Sequence, residues 1–433
     1  MVLELDPVDV FSRNGSAGPA CPHICILGGG FGGLYTALAL HQRLKRQVGV
    51  RHSAAYRITL VEPHDRFTFT PLLYELVTAE LRPWQVAPTY RELLSGTKVH
   101  LHKDWVESLS LSHRRIYLRH GEPLTYDYLV VAMGSRQRTF AVPGVKTHAY
   151  PFANLEDAER LSRRLKALEQ LPQPLIRIAV VGGGPSGIEL ACKLADRLGQ
   201  RGQIHLLDRR SAILRAYPAG VRAAALAAIR DRRIVVHLET AVEGIEAGQI
   251  HYRQKAPQVL AVDLVVWAVG ASPHHWPSVE AVPTSELGQC HVCPTLQLPN
   301  HPEVFVLGDM AAMPAASSTA SKVAPLTAQA AFQAAPVVAH NVAALVLKDQ
   351  SLTPAGRPLR AFAYHHLGNM LTLGQGNAVV CGCGLTLTGR LGAFARRWAY
   401  WLRLPTWPHR WRFLMGYLRP GNVRRAWAKS RRR

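Results

Sequence analysis

The sequence predicts an α/β protein in which one strand–glycine turn–helix unit occurs twice. The apolar run 23–27 leads directly into the turn 28–33, and the apolar run 176–181 leads into the turn 182–187. An Ala- and Leu-rich segment with helical character follows each turn. Both turns match G-x-G-x-x-G in the strand–turn–helix setting that this pattern requires. The repeat therefore predicts two Rossmann-like domains, each able to bind a dinucleotide.

The glycines of each turn allow a tight bend and a close approach of the backbone to a pyrophosphate at the helix N-terminus. These glycines are Gly28, Gly30 and Gly33 in the first copy and Gly182, Gly184 and Gly187 in the second. The next predicted strand of each unit ends in an acid, Glu62 or Asp208, and a carboxylate there can accept the ribose hydroxyls of an adenosine. The spacing to Glu62 exceeds the usual interval of about 20 residues, and we assign the excess to an inserted basic loop at 43–52.

Two arginines, Arg209 and Arg210, directly follow Asp208. An arginine at this place can pair with a 2′-phosphate and so admit NADPH. Two solvated surface arginines would leave the nucleotide preference unaffected. The choice between NADH and NADPH stays open.

Two further buried strands stop at glycines, Gly134 and Gly270, and are expected to return the chain from each domain. A third, 304–307, delivers Asp309 just after a glycine. The segment 324–333 then starts a helix whose N-terminus could stabilise negative charge on a bound ring system.

The chain of 433 residues is too long for one ordinary core. No uninterrupted apolar run reaches the length of about 18 that a membrane span needs, and the run 335–347 is too short and carries His340 and Asn341. The acidic segment 1–20 predicts neither a secretory signal nor a transit peptide. The seven irregularly spaced cysteines indicate reduced thiols.

Much of the formal net charge of +22 lies in the tail 390–433, which holds thirteen Lys or Arg and no carboxylate. At helical spacing one face of 391–404 carries Leu391, Phe394, Ala395, Trp398, Trp401 and Leu402, and the other carries Arg396, Arg397, Tyr400 and Arg403. A second amphipathic piece brings Trp411, Leu414, Met415 and Leu418 together, and 424–433 is polybasic.

Such helices suit the headgroup boundary of an anionic membrane, where each basic residue adds about 1 kcal/mol. The tail is therefore predicted to bind a membrane peripherally without spanning it. The alternative is a helix hairpin packed on the body or on the partner of a homodimer, with its arginines solvated. Nucleic acid is not expected as a partner, because no known binding fold accompanies the charge.

Together these features resemble the two-dinucleotide flavoproteins of the glutathione-reductase-like fold, and within them the type II NAD(P)H:quinone oxidoreductases, over residues 23–420. The runs 71–81 and 404–407 look closest to the cyanobacterial and chloroplast branch, whose members reduce demethylphylloquinone or plastoquinone-like acceptors. The resemblance implies an enzyme on the cytoplasmic or stromal face of a thylakoid, plasma or plastid membrane. It implies a hydride passing from NAD(P)H to FAD and two electrons passing on to a membrane quinone, without proton pumping.

The resemblance also implies roles for individual residues. FAD would be held by Gly28, Gly30, Phe31, Gly32, Gly33, Glu62, the Val106 backbone, Gly134, Asp309 and Ala328, and NAD(P)H by Gly182, Gly184, Gly187, Asp208 and Gly270. Glu189 matches a family glutamate near the nicotinamide, although it could equally be an acid on a helix face. Gln329 and Gln333 match the family's quinone motif, and at i and i+4 both amides could reach one quinone carbonyl, although such a pair is often only a solvated face.

The first helix lacks the close cysteine pair of the disulfide reductases of this fold, so no thiol relay is expected. No metal site is predicted either, because the pairs Cys290/Cys293 and Cys381/Cys383 lack supporting ligands at zinc-finger spacing. The predicted domains are an N-terminal extension 1–22, an FAD domain 23–150 and 286–389, an inserted NAD(P)H domain 151–285, and the tail 390–433. The rival functions are a reductase of a soluble acidic electron carrier and a redox-sensing flavoprotein with little turnover.

Overall fold

A computed structural model describes residues 21–48, 56–278, 280–316, 322–350, 358–382 and 384–418. The predicted N-terminal extension and polybasic end therefore lie almost wholly outside the described residues. Within these ranges the helices are α1 Phe31–Val48, α2 Pro83–Val86, α3 Tyr90–Leu93, α4 Val145–His148, α5 Leu155–Gln170, α6 Pro185–Leu198, α7 Ala219–Asp231, α8 Ala328–Asp349, α9 Gly389–Arg403 and α10 Trp407–Leu418. Short 3₁₀ turns occupy Thr70–Leu76, Gly199–Arg201 and Gly308–Met310.

The strands follow the same chain order. They are β1 His23–Leu27, β2 Arg57–Val61, β3 Val99–His102, β4 Val106–Ser110, β5 Arg115–Leu118, β6 Leu124–Thr125, β7 Tyr128–Val131, β8 Ser135–Gln137, β9 Ala149–Pro151, β10 Ile176–Val181, β11 Gly202–Leu207, β12 Val235–His237, β13 Ala241–Glu246, β14 Gln249–Arg253, β15 Pro257–Ala261, β16 Leu264–Trp267, β17 Ala271–Pro273, β18 Cys290–His291, β19 Gln297–Leu298, β20 His301–Val306, β21 Ala311–Ala312, β22 Asn369–Thr372, β23 Ala378–Gly382 and β24 Leu385–Leu387.

The first sheet has the order β19-β20-β7-β1-β2-β3, with β1 in its interior. β1 pairs in parallel with β2 and β7, and every residue of β1 is buried. A strand covered on both faces needs a continuous apolar run, which is why this segment could be recognised in the sequence. α1 begins at Phe31 and packs on α8. Residues 43–48, which were predicted to belong to an inserted loop, are the last turns of α1, so that part of the prediction is wrong.

The second sheet has the order β12-β11-β10-β16-β9, and all its neighbours are parallel. The chain enters this sheet after β8 and leaves it before β17, and these two strands pair antiparallel. β10, β11 and α6 repeat the arrangement of β1, β2 and α1. The structure therefore holds two strand–turn–helix units of the same kind, one inserted within the chain path of the other.

The helix α8 extends beyond both ends of the apolar run 335–347, which by itself is too short to span a membrane. Within the described residues it is the one helix long and apolar enough to do so, with a mean hydropathy of 1.6, and 67% of that window is buried. Inside it the fully buried Asn341 donates to the carbonyl oxygens of Thr295 and Arg360 and accepts from the Arg360 N–H. Its packing against α1 and these bonds are those of a core helix.

The last described elements are the sheet β22-β23-β24, then α9 and α10. In α9 most of the apolar side chains of the predicted face point outward, while Ala395 and Trp401 are partly buried. Four of these apolar side chains are about half to three-quarters exposed, namely Leu391, Phe394, Trp398 and Leu402. On the opposite face Arg396 and Tyr400 are buried against the body of the protein. α9 and α10 pack on the body of the protein, as the alternative expects, but Arg396 is buried and not solvated.

Candidate active site

The first glycine turn follows β1, and two of its positions, Gly28 and Gly33, have no room for a side chain. Gly28 has a φ of +90°, and a Cβ there would lie 2.6 Å from the Ala132 carbonyl oxygen. A Cβ on Gly33 would collide with the carbonyl oxygen of Gly28, so α1 could not begin so close to β1. Gly30, in contrast, has open space where a Cβ would point. The turn thus exposes bare backbone at the N-terminus of α1, as a bound pyrophosphate requires.

Glu62 follows β2 and is fastened to this turn. Its Oε2 accepts from the backbone N–H of Gly29 at 2.7 Å, and its Oε1 accepts from the N–H of His64 at 3.0 Å. A hydrogen bond from the His64 ring to Glu62 Oε1 raises the pKa of that imidazole. Tyr90 donates to the carbonyl oxygen of Gly29 at 2.8 Å and so fixes the turn from its other side.

The second glycine turn repeats the backbone arrangement of the first. Gly182 has a φ of +116°, a Cβ on Gly187 would collide with the carbonyl oxygen of Gly182, and Gly184 faces open space. The N–H of Gly183 donates to Asp208 Oδ2 at 2.5 Å, and the N–H of Arg210 donates to Oδ1 at 2.7 Å. In both copies, therefore, the acid after the second strand holds the middle of the turn. The carboxylate lone pairs that the turn does not use remain to accept hydrogen bonds from a ligand.

Both turns open into one continuous cleft of about 2480 Å³. Most predicted site residues line it, namely Gly28, Gly30, Phe31, Gly32, Glu62, Val106, Gly134, Gly182, Gly184, Glu189, Asp208, Gly270, Asp309, Ala328 and Gln329. Gly33, Gly187 and Gln333 are not among the lining residues. Gly33 and Gly187 act instead by letting the helix approach the preceding strand closely. The chain thus brings two dinucleotide cradles to a shared space, as hydride transfer between two cofactors requires.

Asp309 lies where the N-terminus of α8 meets the cleft. It accepts a hydrogen bond from the Ser135 hydroxyl at 2.6 Å, and burial raises the pKa of its carboxyl. α8 is capped by Thr327, which accepts from the N–H of Ala330. The first N–H groups of this helix and Ala328 face the same space, so a flavin ring placed here would meet a helix N-terminus.

The glutamine pair of α8 holds a neighbouring segment of the chain. Gln329 Oε1 accepts from the Tyr364 hydroxyl at 2.6 Å and from the N–H of Leu367 at 3.1 Å. Gln333 exchanges two hydrogen bonds with the backbone of His365, at 2.8 and 3.1 Å. Both amides are thus bonded to residues 364–367, and only Gln329 reaches the cleft. The prediction that both could reach one quinone carbonyl does not describe this arrangement.

Glu189 lies one turn into α6 and is buried at the cleft wall. Its Oε1 accepts from the N–H of Thr372 at 2.8 Å and lies 3.6 Å from Arg396 Nη2. Burial raises the pKa of this carboxyl to about 7, against the opposing charge of Arg396. The helix-face alternative is therefore wrong, since Glu189 is 6% exposed and points into the protein.

Sequence reasoning missed two residues that lie behind Glu189 and do not line the cleft, Glu75 and Arg396. The Arg396 guanidinium donates from Nη1 to Glu75 Oε1 at 2.5 Å and from Nη2 to the Pro71 carbonyl oxygen at 2.6 Å. Arg396 had been placed on the polar face of a tail helix. Nothing near Arg396 in the sequence indicates that it is buried or that it pairs with a distant acid, since arginine is seldom fully buried. Its position beside Tyr400 on the same helix face is the one local feature that sets it apart.

The residues present fit an FAD in the first cradle and a nicotinamide dinucleotide in the second, because each offers bare glycine backbone, a helix N-terminus and an acid for a ribose. Among the described residues no group of three or more His, Cys, Asp and Glu could hold a metal ion. Cys383 lies outside the described residues, so its pairing with Cys381 stays untested.

Comparison with known proteins agrees with this architecture. The family model of the pyridine nucleotide-disulphide oxidoreductases matches residues 22–335. Demethylphylloquinone reductase of Synechocystis is 40% identical over 395 residues, which cover 90% of this chain and 94% of that protein. Alternative NAD(P)H-ubiquinone oxidoreductase C1 of Arabidopsis thaliana is 34% identical over 90% of this chain and 79% of the relative.

A solved structure, that of NDH2 from Plasmodium falciparum in complex with NADH, has the same fold. It matches with a TM-score of 0.79 over 92% of this chain and 98% of that chain, at 19% identity. The two nucleotide cradles on one cleft agree with the 40% identity to the reductase of Synechocystis over 90% of this chain. The first helix, which has no cysteine pair, agrees with it as well. The chain belongs to the pyridine nucleotide-disulphide oxidoreductase family and, within it, to the type II NADH:quinone oxidoreductases.

Proposed function

We propose that this protein is an FAD-dependent NAD(P)H:quinone oxidoreductase. The balanced reaction is NAD(P)H + H⁺ + quinone → NAD(P)⁺ + quinol. The observation that carries the proposal is the single cleft onto which both glycine turns open. FAD, when bound, accepts a hydride and releases two electrons to the acceptor; the protein supplies binding, orientation and electrostatics.

The first cradle is the proposed FAD site, with Gly28, Gly30 and Glu62 at the adenosine end and Asp309 beside the ribitol and pyrophosphate. The second is the proposed NAD(P)H site, with Gly182, Gly184 and Asp208. Arg209 lies over the Phe140 ring at 5.3 Å, next to this second site. Arg209 and Arg210 both line the cleft here, and either is in place to pair with a 2′-phosphate, so both nucleotides are to be tested.

The acceptor is proposed to be a naphthoquinone such as demethylphylloquinone. The support is the 40% identity to a demethylphylloquinone reductase over 94% of that relative. The relative from Arabidopsis is named for ubiquinone, so the assignment is best made by direct comparison of acceptors. The quinone site is proposed at the wall formed by Gln329, Tyr364 and Tyr400, all of which line the cleft.

Membrane association is proposed through α9 and α10. The apolar side chains that point outward on these helices include three tryptophans, Trp398, Trp407 and Trp411, each half-exposed or more. The surrounding arginines and the absence of carboxylates from 390–433 suit an anionic headgroup layer. α10 is itself attached to the body, since a ring nitrogen of His409 lies 3.0 Å from the carbonyl oxygen of Gln85.

The decisive experiment is anaerobic reduction of the purified, FAD-loaded protein by NADH and NADPH separately, followed by reoxidation with a panel of quinones. We expect flavin bleaching by at least one nucleotide and rapid reoxidation by naphthoquinones. Reoxidation by an acidic iron–sulfur protein but by no quinone, with a steep dependence on ionic strength, would establish the carrier reductase instead. Bleaching without turnover would establish a redox sensor.

A further inference from the structure

Three distant parts of the chain meet at the buried guanidinium of Arg396. α9 contributes Arg396, the 3₁₀ turn Thr70–Leu76 contributes Glu75, and α6 contributes Glu189. All three side chains are more than nine-tenths buried, at 4%, 4% and 8% exposure. The guanidinium lies between the two carboxyls, 2.5 Å from Glu75 Oε1 and 3.6 Å from Glu189 Oε1.

This position gives Arg396 influence over the active-site carboxyl. An opposite charge within about 4–6 Å favours the ionised form of a buried acid. The second bond of Arg396, to the Pro71 carbonyl oxygen, and its contact with the Tyr400 ring at 4.8 Å fix the direction of the guanidinium. The charge of Arg396 is thus held in place rather than free to sample solvent.

The opposite face of the same helix is the exposed apolar one that carries Phe394 and Trp398. We propose that Arg396 is a positioning residue that α9 inserts beside Glu189, so that the proposed membrane-docking helix also sets the proton affinity of the active-site carboxyl. The proposal rests on the proposed function, because that function is what makes the surroundings of Glu189 an active site. The contacts between Arg396, Glu75 and Glu189 do not depend on it.

Several other ionisable groups face Glu189 and must be weighed. They are Tyr400 on α9, Glu75 and Tyr74 from the 70–76 turn, Lys193 and Cys192 on α6, and Tyr217 before α7. Lys193, the other cation among them, forms an ion pair with Glu80 and lowers the pKa of Glu189 less than Arg396 does. Glu75 opposes Arg396 by disfavouring a second negative charge nearby. Arg396 and Glu75 should therefore move the pKa of Glu189 in opposite directions.

One consequence concerns deletion of the tail. Removing residues 390–433 takes away Arg396 together with the membrane surface and leaves Glu75 and Glu189 as two buried acids. Such a protein should be impaired with water-soluble quinones as well as with lipophilic ones. Loss of activity on truncation would then report on the active site and not only on membrane binding.

The test is an infrared titration of the oxidised, FAD-loaded protein, which needs neither nucleotide nor quinone. The carbonyl band of protonated Glu189 is identified as the band that Glu189→Gln removes. In Arg396→Gln we expect its titration midpoint to rise by about one to three pH units, while Arg396→Lys stays nearer the wild type. Arg397→Gln is the matched control, because Arg397 is adjacent on α9 and reaches Glu80 instead, at 3.9 Å.

An unchanged midpoint in Arg396→Gln, or the same rise in Arg397→Gln, would overturn the proposal. If Arg396→Gln fails to retain FAD, Glu75→Gln decides, because removal of that negative charge should lower the midpoint. A rise or no change in Glu75→Gln would also overturn it. If these shifts of the Glu189 midpoint are observed but the protein does not reduce quinones, the proposed function is wrong and the role of Arg396 stands.

Discussion

The backbone N–H of Gly29 donates to Glu62 Oε2 at 2.7 Å, so the acid at the end of β2 holds the middle of the first glycine turn. The same bond joins Gly183 and Asp208 in the second unit. These acids therefore have two tasks, shaping the turn and receiving a ribose. Because the two units are separate in the chain, the tasks can be tested with each acid as the control for the other.

Replacing Glu62 by alanine should weaken FAD binding about ten- to a hundredfold, because hydrogen bonds to a charged group contribute about 1.5–3 kcal/mol. The measurement is flavin released into the filtrate on dilution. Asp208→Ala should retain FAD as the wild type does. Equal loss of FAD in both variants would show that the acids stabilise the fold as a whole.

Replacing Asp208 by alanine should instead raise KM for NADH about tenfold, because the ribose loses its acceptor. KM for NADPH should change less, since a carboxylate repels the 2′-phosphate and its removal offsets the lost bond. The ratio of kcat/KM for the two nucleotides measures this. A parallel loss with both would argue that Asp208 only maintains the turn through Gly183.

The carboxyl of Glu189 should make stability depend on pH. Its pKa is raised to about 7 in the folded protein, so the folded state binds more protons than the unfolded state between the unfolded pKa and pH 7. Stability contributed by Glu189 is then present at low pH and falls as the pH rises through 7. The thermal midpoint of the wild type, relative to that of Glu189→Gln, should drop between pH 5.5 and 7.5. A difference that stays constant or grows would contradict the raised pKa.

The outer face of α9 should control membrane binding without affecting the chemistry. Phe394 and Trp398 are 71% and 50% exposed, and burying an aromatic side chain contributes about 1.5–3 kcal/mol. Replacing both by serine should weaken binding to anionic vesicles by about tenfold or more, while turnover with a water-soluble naphthoquinone persists. Leu175→Ser with Val259→Ser, at exposed apolar sites just before β10 and on β15, is the matched control. If the α9 variant binds vesicles as well as the wild type does, the membrane-docking surface lies elsewhere.

Much of the fold could be predicted because its signals are local. The glycine spacing at 28–33 and 182–187, the apolar strands and the terminal acids all lie within one strand–turn–helix unit. Arg396 could not be predicted in the same way, since it pairs with Glu75 across 321 positions. In the sequence it is one of thirteen basic residues in the tail, and only the packing of α9 distinguishes it. The helical spacing of Gln329 and Gln333 was equally clear, but the direction of their amides depends on a loop that tertiary structure brings to them.

That loop provides the last prediction. Gln333 makes two hydrogen bonds to the His365 backbone and does not line the cleft, so Gln333→Ala should act through the position of residues 364–367. With about 0.5–1.5 kcal/mol for each bond, unfolding should become easier by about 1–3 kcal/mol. KM for the quinone should rise in parallel, because Tyr364 forms part of the cleft wall. Flavin reduction by NAD(P)H, measured without quinone, should stay unchanged and serves as the control. A raised KM with unchanged stability would instead mean that Gln333 binds the quinone directly, as the glutamine motif first suggested.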